Sequence, residues 1–559
     1  MKKFLNPKIR KPLTYFLFLF AIFSSFKIYD DDFDFETAKQ FDLFHDIVRE
    51  IRMYYVDDAD IPVLIAKSSE EFLKKLDPYT VFYPEDKIED FTLMKTGAYG
   101  GIGASIIRRK QSLRIQYVKE NSPADKSGLK PGDEITAVNG IKINSENIEE
   151  ILQNLKGEPG SSVNLLLKRY GVNGFIEKTI VREKISEKNI VFSDILSGGT
   201  GYIKLNSFTP GASDNFKKTL LDLNNRQKLS GLIIDLRNNP GGLLGEAVKI
   251  VNYFVPEGSD IVSTKGRVDS WNHDYRAEKE PLFPELPVVV LINNRSASAS
   301  EIVAGALQDL DRAVIAGQRS FGKGLVQITR KLEYNTRIKI TVAKYYIPSG
   351  RCIQIIDYSH RNADGSAGKI PDSLKHEFKT KNGRSVYDGG GIEPDIYIAP
   401  DTLSRFTENL IKNNIIFDFC TEFYFKHPTI DGKAENFSFT DSEYNEFIDF
   451  VLNSPVEFQS ETSKLAGKIA YTAKKEHYDK SVLEIIKQLQ KMSAVDSEQA
   501  LKRFKPEILP VLERETVRRY YYEKGVIKRE TKKDTLIKTA EQLLQNSAEL
   551  RKILLEKSN

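Results

Sequence analysis

The chain has few of the residues on which several classes of protein depend. Its 559 residues include only two cysteines, Cys352 and Cys420, so a disulfide framework is excluded and we expect two free thiols. The 82 basic and 78 acidic residues leave a net charge of +4, which is too balanced to indicate a nucleic-acid-binding protein. We find no P-loop, no metal-ligand cluster and no internal repeat, so the sequence predicts neither a metal nor another cofactor.

Long hydrophobic runs are also scarce, with one exception near the N terminus. Several lysines and arginines in residues 1–12 precede an apolar stretch from Leu13 to Phe26. This composition is typical of a signal peptide, and the stretch is shorter than the ~20 residues of a membrane-spanning helix. Because a clear small-residue cleavage site is missing, we expect residues 1–29 to be a signal peptide or a membrane anchor. The expected location is the cell envelope, either in the periplasm or anchored to the inner membrane.

The most informative stretch of the sequence lies between residues 287 and 327. An apolar run, Pro287 to Ile292, predicts a buried strand, and a helical pattern begins at Glu301. Ser298 lies at this strand-to-helix turn, beside the N–H of Ala299 and the positive end of a helix dipole. A hydroxyl nucleophile next to an oxyanion donor is the arrangement of an acyl-transfer site. The same residues also fit a capping box, in which the serine does no chemistry.

Three motifs in this stretch carry a resemblance to a known family. They are SASASE (296–301), AGALQD (304–309) and FGKG (321–324). In this order they resemble the tail-specific, or carboxy-terminal processing, serine proteases. The resemblance implies that Ser298 is the nucleophile, that Lys323 is the general base, and that Gln327 orients Lys323. Asp309 falls where some relatives have a functional aspartate, although a position near the end of a helix also fits a structural role.

A lysine base needs an unusual environment, because free lysine has a pKa of about 10.4 and is protonated at neutral pH. Burial in apolar surroundings can lower such a pKa to roughly 7–8, and Phe321, Leu325 and Val326 supply apolar neighbours. The rival arrangement is a Ser-His-Asp triad. None of the six histidines lies in a recognisable triad motif, so the triad is unsupported although triads form in space rather than in sequence.

A second segment resembles the family in its glycines. Residues 231–237 form an apolar run that predicts a buried strand, followed by the turn NNPGG and a helical pattern. The resemblance implies that Ala299 and either Gly241 or Gly242 supply the two oxyanion donors, although the glycines also fit a simple turn. Strands that alternate with helices predict a mostly parallel sheet, and the family core is of the Clp-protease/crotonase type.

The region before this core resembles a PDZ domain. The string SPADKSGLKPGDEITAVNG (122–140) follows an alternating strand and the loop Gly101-Ile102-Gly103-Ala104. The resemblance implies that backbone N–H groups of this loop bind the terminal carboxylate of a peptide, which adds as a strand beside residues 104–107. The expected partners are therefore polypeptides with free, apolar C termini. The sequence leaves open whether the chain forms a homo-oligomer.

The fold class that follows is a multidomain α/β protein, with a PDZ domain and a Clp-protease/crotonase-like core flanked by helical regions. The predicted boundaries are a signal or anchor segment at 1–29, an N-terminal helical region at 30–95, the PDZ domain at 96–182, the catalytic core at 183–400 and a C-terminal helical region at 401–559. The role of this last region is not indicated by its sequence.

The function that we predict is an exported serine endopeptidase that recognises the C-terminal tails of proteins. One alternative is a PDZ-bearing binding protein with a catalytically silent core, which intact Ser298, Lys323 and Gln327 argue against. Another alternative is a hydrolase of non-peptide acyl groups on a crotonase-like fold. The PDZ domain, which binds peptides, argues against it.

Overall fold

The computed structural model describes residues 31–85, 97–109, 112–362, 364–400, 402–430, 432–454, 460–492 and 496–555. The predicted signal or anchor segment lies outside these residues. The described chain forms two compact units that divide after Phe82. Within the described ranges, no helix is both long and apolar enough to cross a membrane.

The first unit is helical, as its apolar spacing predicts. It contains α1 (Asp31–Tyr54) and α2 (Ile61–Lys74), and strand β1 (Val81–Tyr83) follows. Asp60 starts α2 by accepting the Val63 N–H at 3.2 Å, because the first N–H groups of a helix have no partner within it. Asp77 closes the next turn, where its Oδ1 accepts the N–H groups of Tyr79 and Thr80.

The PDZ region is a sheet with a helix packed on one face. Its elements are β2 (Ala98–Gly101), β3 (Ala104–Arg109), β4 (Ser112–Val118), α3 (Pro123–Lys126), β5 (Glu134–Val138), β6 (Ile141–Lys142), α4 (Ile148–Asn154), β7 (Ser162–Lys168), β8 (Ile176–Val181) and β9 (Glu183–Ser186). The strand order is β3-β4-β5-β7-β8, with β6 beside β5. β3 is therefore an edge strand of this sheet. β9 lies beyond the predicted boundary at residue 182 and pairs with β2.

The core contains a six-stranded sheet in which every neighbouring pair is parallel except the edge pair formed by the first two strands. Its strands and helices begin with β10 (Ile190–Ile195), β11 (Thr200–Leu205), α5 (Ala212–Arg226), β12 (Gly231–Asp235), α6 (Leu244–Asn252), β13 (Asp260–Gly266), β14 (His273–Arg276), β15 (Val288–Ile292), α7 (Ala299–Asp309) and β16 (Val314–Gly317). They continue with β17 (Leu325–Lys331), β18 (Arg337–Tyr346), β19 (Ile356–Arg361), β20 (Ala367–Lys369), β21 (Glu377–Lys379), β22 (Ser385–Tyr387) and β23 (Ile396–Tyr397). The sheet order β10-β11-β12-β15-β16-β23 confirms the predicted mostly parallel sheet.

The C-terminal region is helical throughout its described length. Its helices are α8 (Arg405–Lys412), α9 (Ile415–Lys426), α10 (Asp441–Leu452), α11 (Glu461–Lys475), α12 (Lys480–Met492), α13 (Ser497–Arg503), α14 (Lys505–Lys533), α15 (Thr535–Gln545) and α16 (Ser547–Leu555). Short 3₁₀ helices occur at Ser197–Gly199, Asp269–Trp271, Asp372–Leu374 and Ala434–Asn436.

This helical region contributes a layer to the core, which the sequence did not predict. Leu536, Ile537 and Ala540 of α15 are buried in one cluster with Ile233 and Val289 of the sheet. α5, α6 and α7 share another cluster with the sheet residues whose side chains alternate to the opposite face. The sheet is therefore covered on both sides, as a mostly parallel sheet requires.

Both cysteines are free, as predicted, and Cys420 is buried.

Candidate active site

Three serines of the SASAS motif are distinguished by what their hydroxyl groups do. Ser296 Oγ donates to the Leu236 carbonyl at 2.8 Å, and Ser300 Oγ donates to the Asn239 carbonyl at 2.9 Å. Both of these serines are fully buried. They fasten the motif to the turn that follows β12, and the middle serine, Ser298, is partly exposed. Only Ser298 is therefore placed to meet a substrate.

The backbone at Ser298 is held in an unfavourable conformation. Its φ of 56° and ψ of −116° lie where non-glycine residues are rare and strained. The residue directly precedes α7, so the N–H of Ala299 belongs to the first turn of this helix. A strained serine on a sharp strand-to-helix turn is the arrangement of a nucleophile elbow.

The buried carboxyl group of Glu301 joins this turn to the FGKG loop. Its Oε2 accepts the N–H groups of Ser298 and Lys323, at 2.8 and 2.9 Å. Its Oε1 accepts the Gly322 N–H at 2.7 Å and the Ser320 hydroxyl at 2.5 Å. Burial raises the pKa of Glu301, while these four donors act in the opposite direction. One side chain therefore sets the spacing between the two segments that carry the candidate nucleophile and base.

The capping-box interpretation of Glu301 is correct in part. Glu301 does reach back to the N–H of Ser298, as an N3 glutamate does. The backbone N–H of Glu301, which a capping hydroxyl would bind, donates to the Ser298 carbonyl at 2.8 Å. Capping and a catalytic arrangement are thus compatible in the same turn.

A second buried side chain, Tyr345 of β18, connects the same two segments from the other side. Its hydroxyl lies 2.7 Å from the Lys323 carbonyl oxygen and 3.2 Å from that of Ser298. Its ring is 1% exposed, so the hydroxyl is held in place by packing. Sequence reasoning missed this residue, because alternation along β18 predicts a buried tyrosine without indicating what its hydroxyl contacts.

The surroundings of Lys323 agree only in part with the apolar environment that was expected. Leu325 is buried, whereas Phe321 is 46% exposed. The glycines of the loop permit close packing, since a Cβ on Gly322 would lie 2.7 Å from Ile355. The Gly324 N–H donates to Gln354 Oε1 at 2.8 Å. The loop is therefore fixed mainly by its backbone, and Lys323 itself is half-buried.

Gln327 lies on β17, downstream of Lys323. Its Nε2 donates to Thr341 Oγ1 of β18 at 3.3 Å. The register of the β17–β18 pair shifts between Val326 and Gln327, and such a bulge redirects the side chains that follow it. This contact fixes the glutamine amide, and the proposed orientation of Lys323 by Gln327 stays a prediction.

The two candidate glycines differ in their contacts. A Cβ on Gly241 would lie 2.8 Å from Ser298 Cβ and 2.9 Å from Ala299 N, so the glycine backbone packs directly on the candidate site. However, the Gly241 N–H donates to Asn239 Oδ1 at 2.9 Å. The Gly241 carbonyl accepts the Phe208 N–H at 3.0 Å, so the trans peptide directs the Gly242 N–H away from Phe208. Gly242 is therefore the better candidate donor.

Asp309 is remote from this turn, because it ends α7 and Ser298 precedes that helix. Its carboxylate forms a buried ion pair with Arg351 at 2.7 Å and accepts the Ser349 N–H at 3.0 Å. These contacts support the structural interpretation of Asp309.

The PDZ loop is open in the manner that peptide addition requires. The carbonyls of Ile102 and Gly103 are bound within the domain, to the N–H groups of Ala124 and Lys119. In the described chain we find no acceptor at the N–H of Gly103, whereas the Ile102 N–H faces the Leu155 carbonyl in the antiparallel bridge between Gly101 and Lys156. The Gly103 N–H and the free edge of β3 are what a terminal carboxylate and an added strand would use.

The structure gives the rival triad no support. His360 and His376 contact Asp357 and Asp388, and both histidines are exposed on the surface. The described residues contain no cluster of side chains that could hold a metal ion.

Comparison with known proteins agrees with these features. Residues 199–358 match peptidase family S41, residues 114–169 match the PDZ domain family, and residues 406–544 match a family described as "Probable PDZ-protease, C-terminal helical domain". A carboxy-terminal-processing protease of Bartonella bacilliformis is 36% identical over 321 residues, which cover 57% of this chain and 73% of that protein.

Two further proteins are similar to this chain at lower sequence identity. A Staphylococcus aureus protein described as a "Probable CtpA-like serine protease" is 32% identical over 302 residues, which are 54% of this chain and 60% of that protein. The solved structure of a photosystem II D1 C-terminal processing protease is 24% identical, with a TM-score of 0.36, and the match covers 65% of this chain and 94% of the other.

The α/β core, its serine turn and the attached PDZ domain therefore define a serine-type peptidase. More specifically, the chain belongs to the carboxy-terminal-processing protease family, within peptidase family S41.

Proposed function

We propose that the protein is an endopeptidase that binds the C-terminal tail of a polypeptide and cleaves the same chain with a Ser-Lys mechanism. The observation that carries this proposal is the joint attachment of the Ser298 and Lys323 segments to Glu301 and Tyr345.

In the proposed mechanism, Ser298 Oγ attacks the scissile carbonyl carbon while the amine of Lys323 takes its proton. The N–H groups of Ala299 and Gly242 donate to the oxyanion, and the α7 dipole adds to the stabilisation. Lys323 then returns the proton to the leaving amine, and a water molecule hydrolyses the acyl-enzyme by the same route. Gln327 positions Lys323, and Gly241 gives the room for Ala299 to approach the oxyanion.

The proposed tail site is the loop from Gly101 to Ala104. A terminal carboxylate would accept hydrogen bonds from backbone N–H groups of this loop, that of Gly103 among them, and the tail would pair with the free edge of β3. Ile102 of this loop belongs to the buried apolar cluster of the PDZ domain, as do Ile148 and Ile151 of α4, which favours an apolar terminal residue. The substrates are therefore polypeptides with free, apolar C termini.

We further propose that the chain acts in the cell envelope, in the periplasm or anchored to the inner membrane. The basic, then apolar, composition of residues 1–29 supports this location.

The test is cleavage of an unfolded protein by the wild type and by Ser298→Ala. We expect a loss of about three orders of magnitude or more, since removal of a nucleophile costs at least about 4 kcal/mol of transition-state stabilisation. Unchanged thermal unfolding of the variant serves as the control for folding. Near-normal turnover by Ser298→Ala would refute the assignment of Ser298 as the nucleophile, whereas no cleavage by the wild type would favour the alternative of a binding protein.

A further inference from the structure

We propose that the C-terminal helical region binds the substrate polypeptide just upstream of its tail, in a groove between α9 and α10. This inference rests on the proposed function, because it requires the tail itself to bind along β3. It gives the helical region a role in substrate selection in addition to its structural role beneath the sheet.

The groove has a volume of about 680 Å³ and is built by one stripe of residues from each helix. Its floor is apolar and its outer rim is acidic. The floor residues are Ile415, Phe419, Phe423 and Phe450, and the rim residues are Glu446 and Asp449. Within each helix they recur at intervals of three or four positions, which places them on one face. Glu446 and Asp449 are exposed.

Strand polarity directs a bound substrate toward this groove. A terminal carboxylate at the Gly101–Ala104 loop lies at the N-terminal end of β3, so a tail that pairs with β3 runs antiparallel to it. Its upstream residues then leave the sheet at the other end of β3, which is Arg109. Because β3 has six residues, about six tail residues pair before the chain passes this point. Arg109 is itself one of the residues that line the groove.

The end of β3 and the groove are held together by a dense set of contacts. The Arg109 guanidinium donates to both carboxylate oxygens of Asp418, at 2.6 and 3.2 Å, and Arg114 adds a third contact at 3.3 Å. Elsewhere in the PDZ domain, a Cβ on Gly132, in the turn before β5, would lie 2.2 Å from Thr421 Cγ2 of α9, so the domain also packs directly on this helix. The exit from the PDZ edge and the entrance to the groove are therefore adjacent parts of one surface.

The charges of the groove select the chemistry of the segment. Asp418 is neutralised by Arg109, and Glu422 by Lys426 at 2.6 Å. Glu446 and Asp449 remain, and among the described residues neither is within an ion pair. We therefore assign to the groove a segment with an apolar side chain next to lysine or arginine, roughly seven to ten residues from the C terminus.

The experiment measures peptide binding by fluorescence anisotropy, with the full chain carrying Ser298→Ala so that peptides are not cut. Three peptides share the same five C-terminal residues, which end in a free apolar residue. One is the five-residue tail alone, one has twelve residues with a leucine and two lysines upstream, and one has glutamates in place of these lysines. Each is also made as a C-terminal amide.

We expect the basic twelve-residue peptide to bind about three- to tenfold more tightly than the short tail, from contacts with two exposed carboxylates. Glu446→Lys combined with Asp449→Lys should remove this gain and leave binding of the short tail unchanged, which also verifies folding. The matched control is Glu476→Lys with Glu484→Lys, an equal charge change at exposed sites outside the groove. This control should retain most of the gain.

The outcomes separate this inference from the proposed function. If the short tail binds better as an acid than as an amide, but all three peptides bind equally, the groove has no role and the tail site stands. An equal loss of the gain in both charge variants would also overturn the inference. If acids and amides bind equally well, the tail site fails, and the path from β3 to the groove fails with it.

Discussion

The serine-lysine turn and the edge of the PDZ domain satisfy their polar groups in opposite ways. At the turn, Glu301 accepts four hydrogen bonds and Tyr345 contacts two carbonyls, all within the chain. At the PDZ edge, the Gly103 N–H has no acceptor within the described chain, and β3 has no strand beside its outer edge there. The polar groups of the turn therefore have partners without substrate, whereas those of the PDZ edge would find theirs on a bound substrate.

This difference indicates where binding energy is used. A turn that is already fixed loses little conformational freedom when a substrate arrives, so contacts made there act on the transition state. An open strand edge gains its hydrogen bonds only from a bound chain, so it contributes to affinity and selection. Changes at the turn should then lower kcat, and changes at the edge or the groove should alter KM.

Among changes at the turn, we expect Lys323→Arg to lower kcat the most. Arginine keeps the charge and length but cannot give up its proton at accessible pH, so we expect at least about a thousandfold loss of kcat. The wild-type rate should rise with pH through an apparent pKa well below ~10.4. Both are measured by cleavage of one peptide between pH 5 and 10.

The control for this experiment is Lys331→Arg, on the exposed end of β17, which should be fully active. A pH profile governed by a group near 6.5, together with loss of activity on changing one histidine, would contradict a lysine base.

The sequence predicted the parts of the turn better than its internal connections. Ser298, Lys323 and the two glycines are found in short motifs whose local conformation is set by neighbouring residues. The choice between Gly241 and Gly242 needed the structure, because it depends on whether Asn239 Oδ1 accepts one of the two N–H groups. Tyr345 could not be assigned either, since its hydroxyl meets residues 22 and 47 positions away in the chain.

The fold shows the same division. Apolar runs and alternating helices predicted the parallel sheet, because these patterns depend on local periodicity. They could not predict that α15 covers the second face of this sheet, since Leu536 and Ile233 are brought together only by tertiary packing. The pattern of an amphipathic helix indicates that one of its faces is buried, but it does not identify the surface against which that face packs.

The next effect in size is expected from Glu301→Gln. Glutamine offers one acceptor oxygen in place of two, and its amide nitrogen would face N–H groups that have lost their acceptor. An unsatisfied buried donor costs about 1–3 kcal/mol, so we expect roughly a tenfold to hundredfold loss of kcat. The change in KM should be small, because the tail site is untouched.

The matched control is Glu246→Gln, which alters another carboxylate that accepts two bonds, from the N–H and hydroxyl of Ser213. It should lower the melting temperature without a comparable change in kcat. If both variants lose stability and activity in the same proportion, Glu301 acts only through the general stability of the core.

The smallest effect, and the most specific, is expected from Tyr345→Phe. The ring keeps its packing, and only the hydroxyl that contacts the Ser298 and Lys323 carbonyls is removed. The Ser298 carbonyl still accepts the N–H groups of Glu301 and Ile302, so it is not left unpaired. Loss of one hydrogen bond of about 1 kcal/mol predicts roughly a fivefold lower kcat with unchanged KM.

Tyr346→Phe provides the control within the same strand, because neighbouring residues of β18 point to opposite faces of the sheet. Kinetics of a tail-bearing peptide with both variants would show whether the effect is confined to position 345. A higher KM at constant kcat in Tyr345→Phe would mean that its hydroxyl supports substrate binding rather than the geometry of the turn. Equal kinetics in the two variants would mean that Glu301 alone is sufficient to hold the serine and lysine segments together.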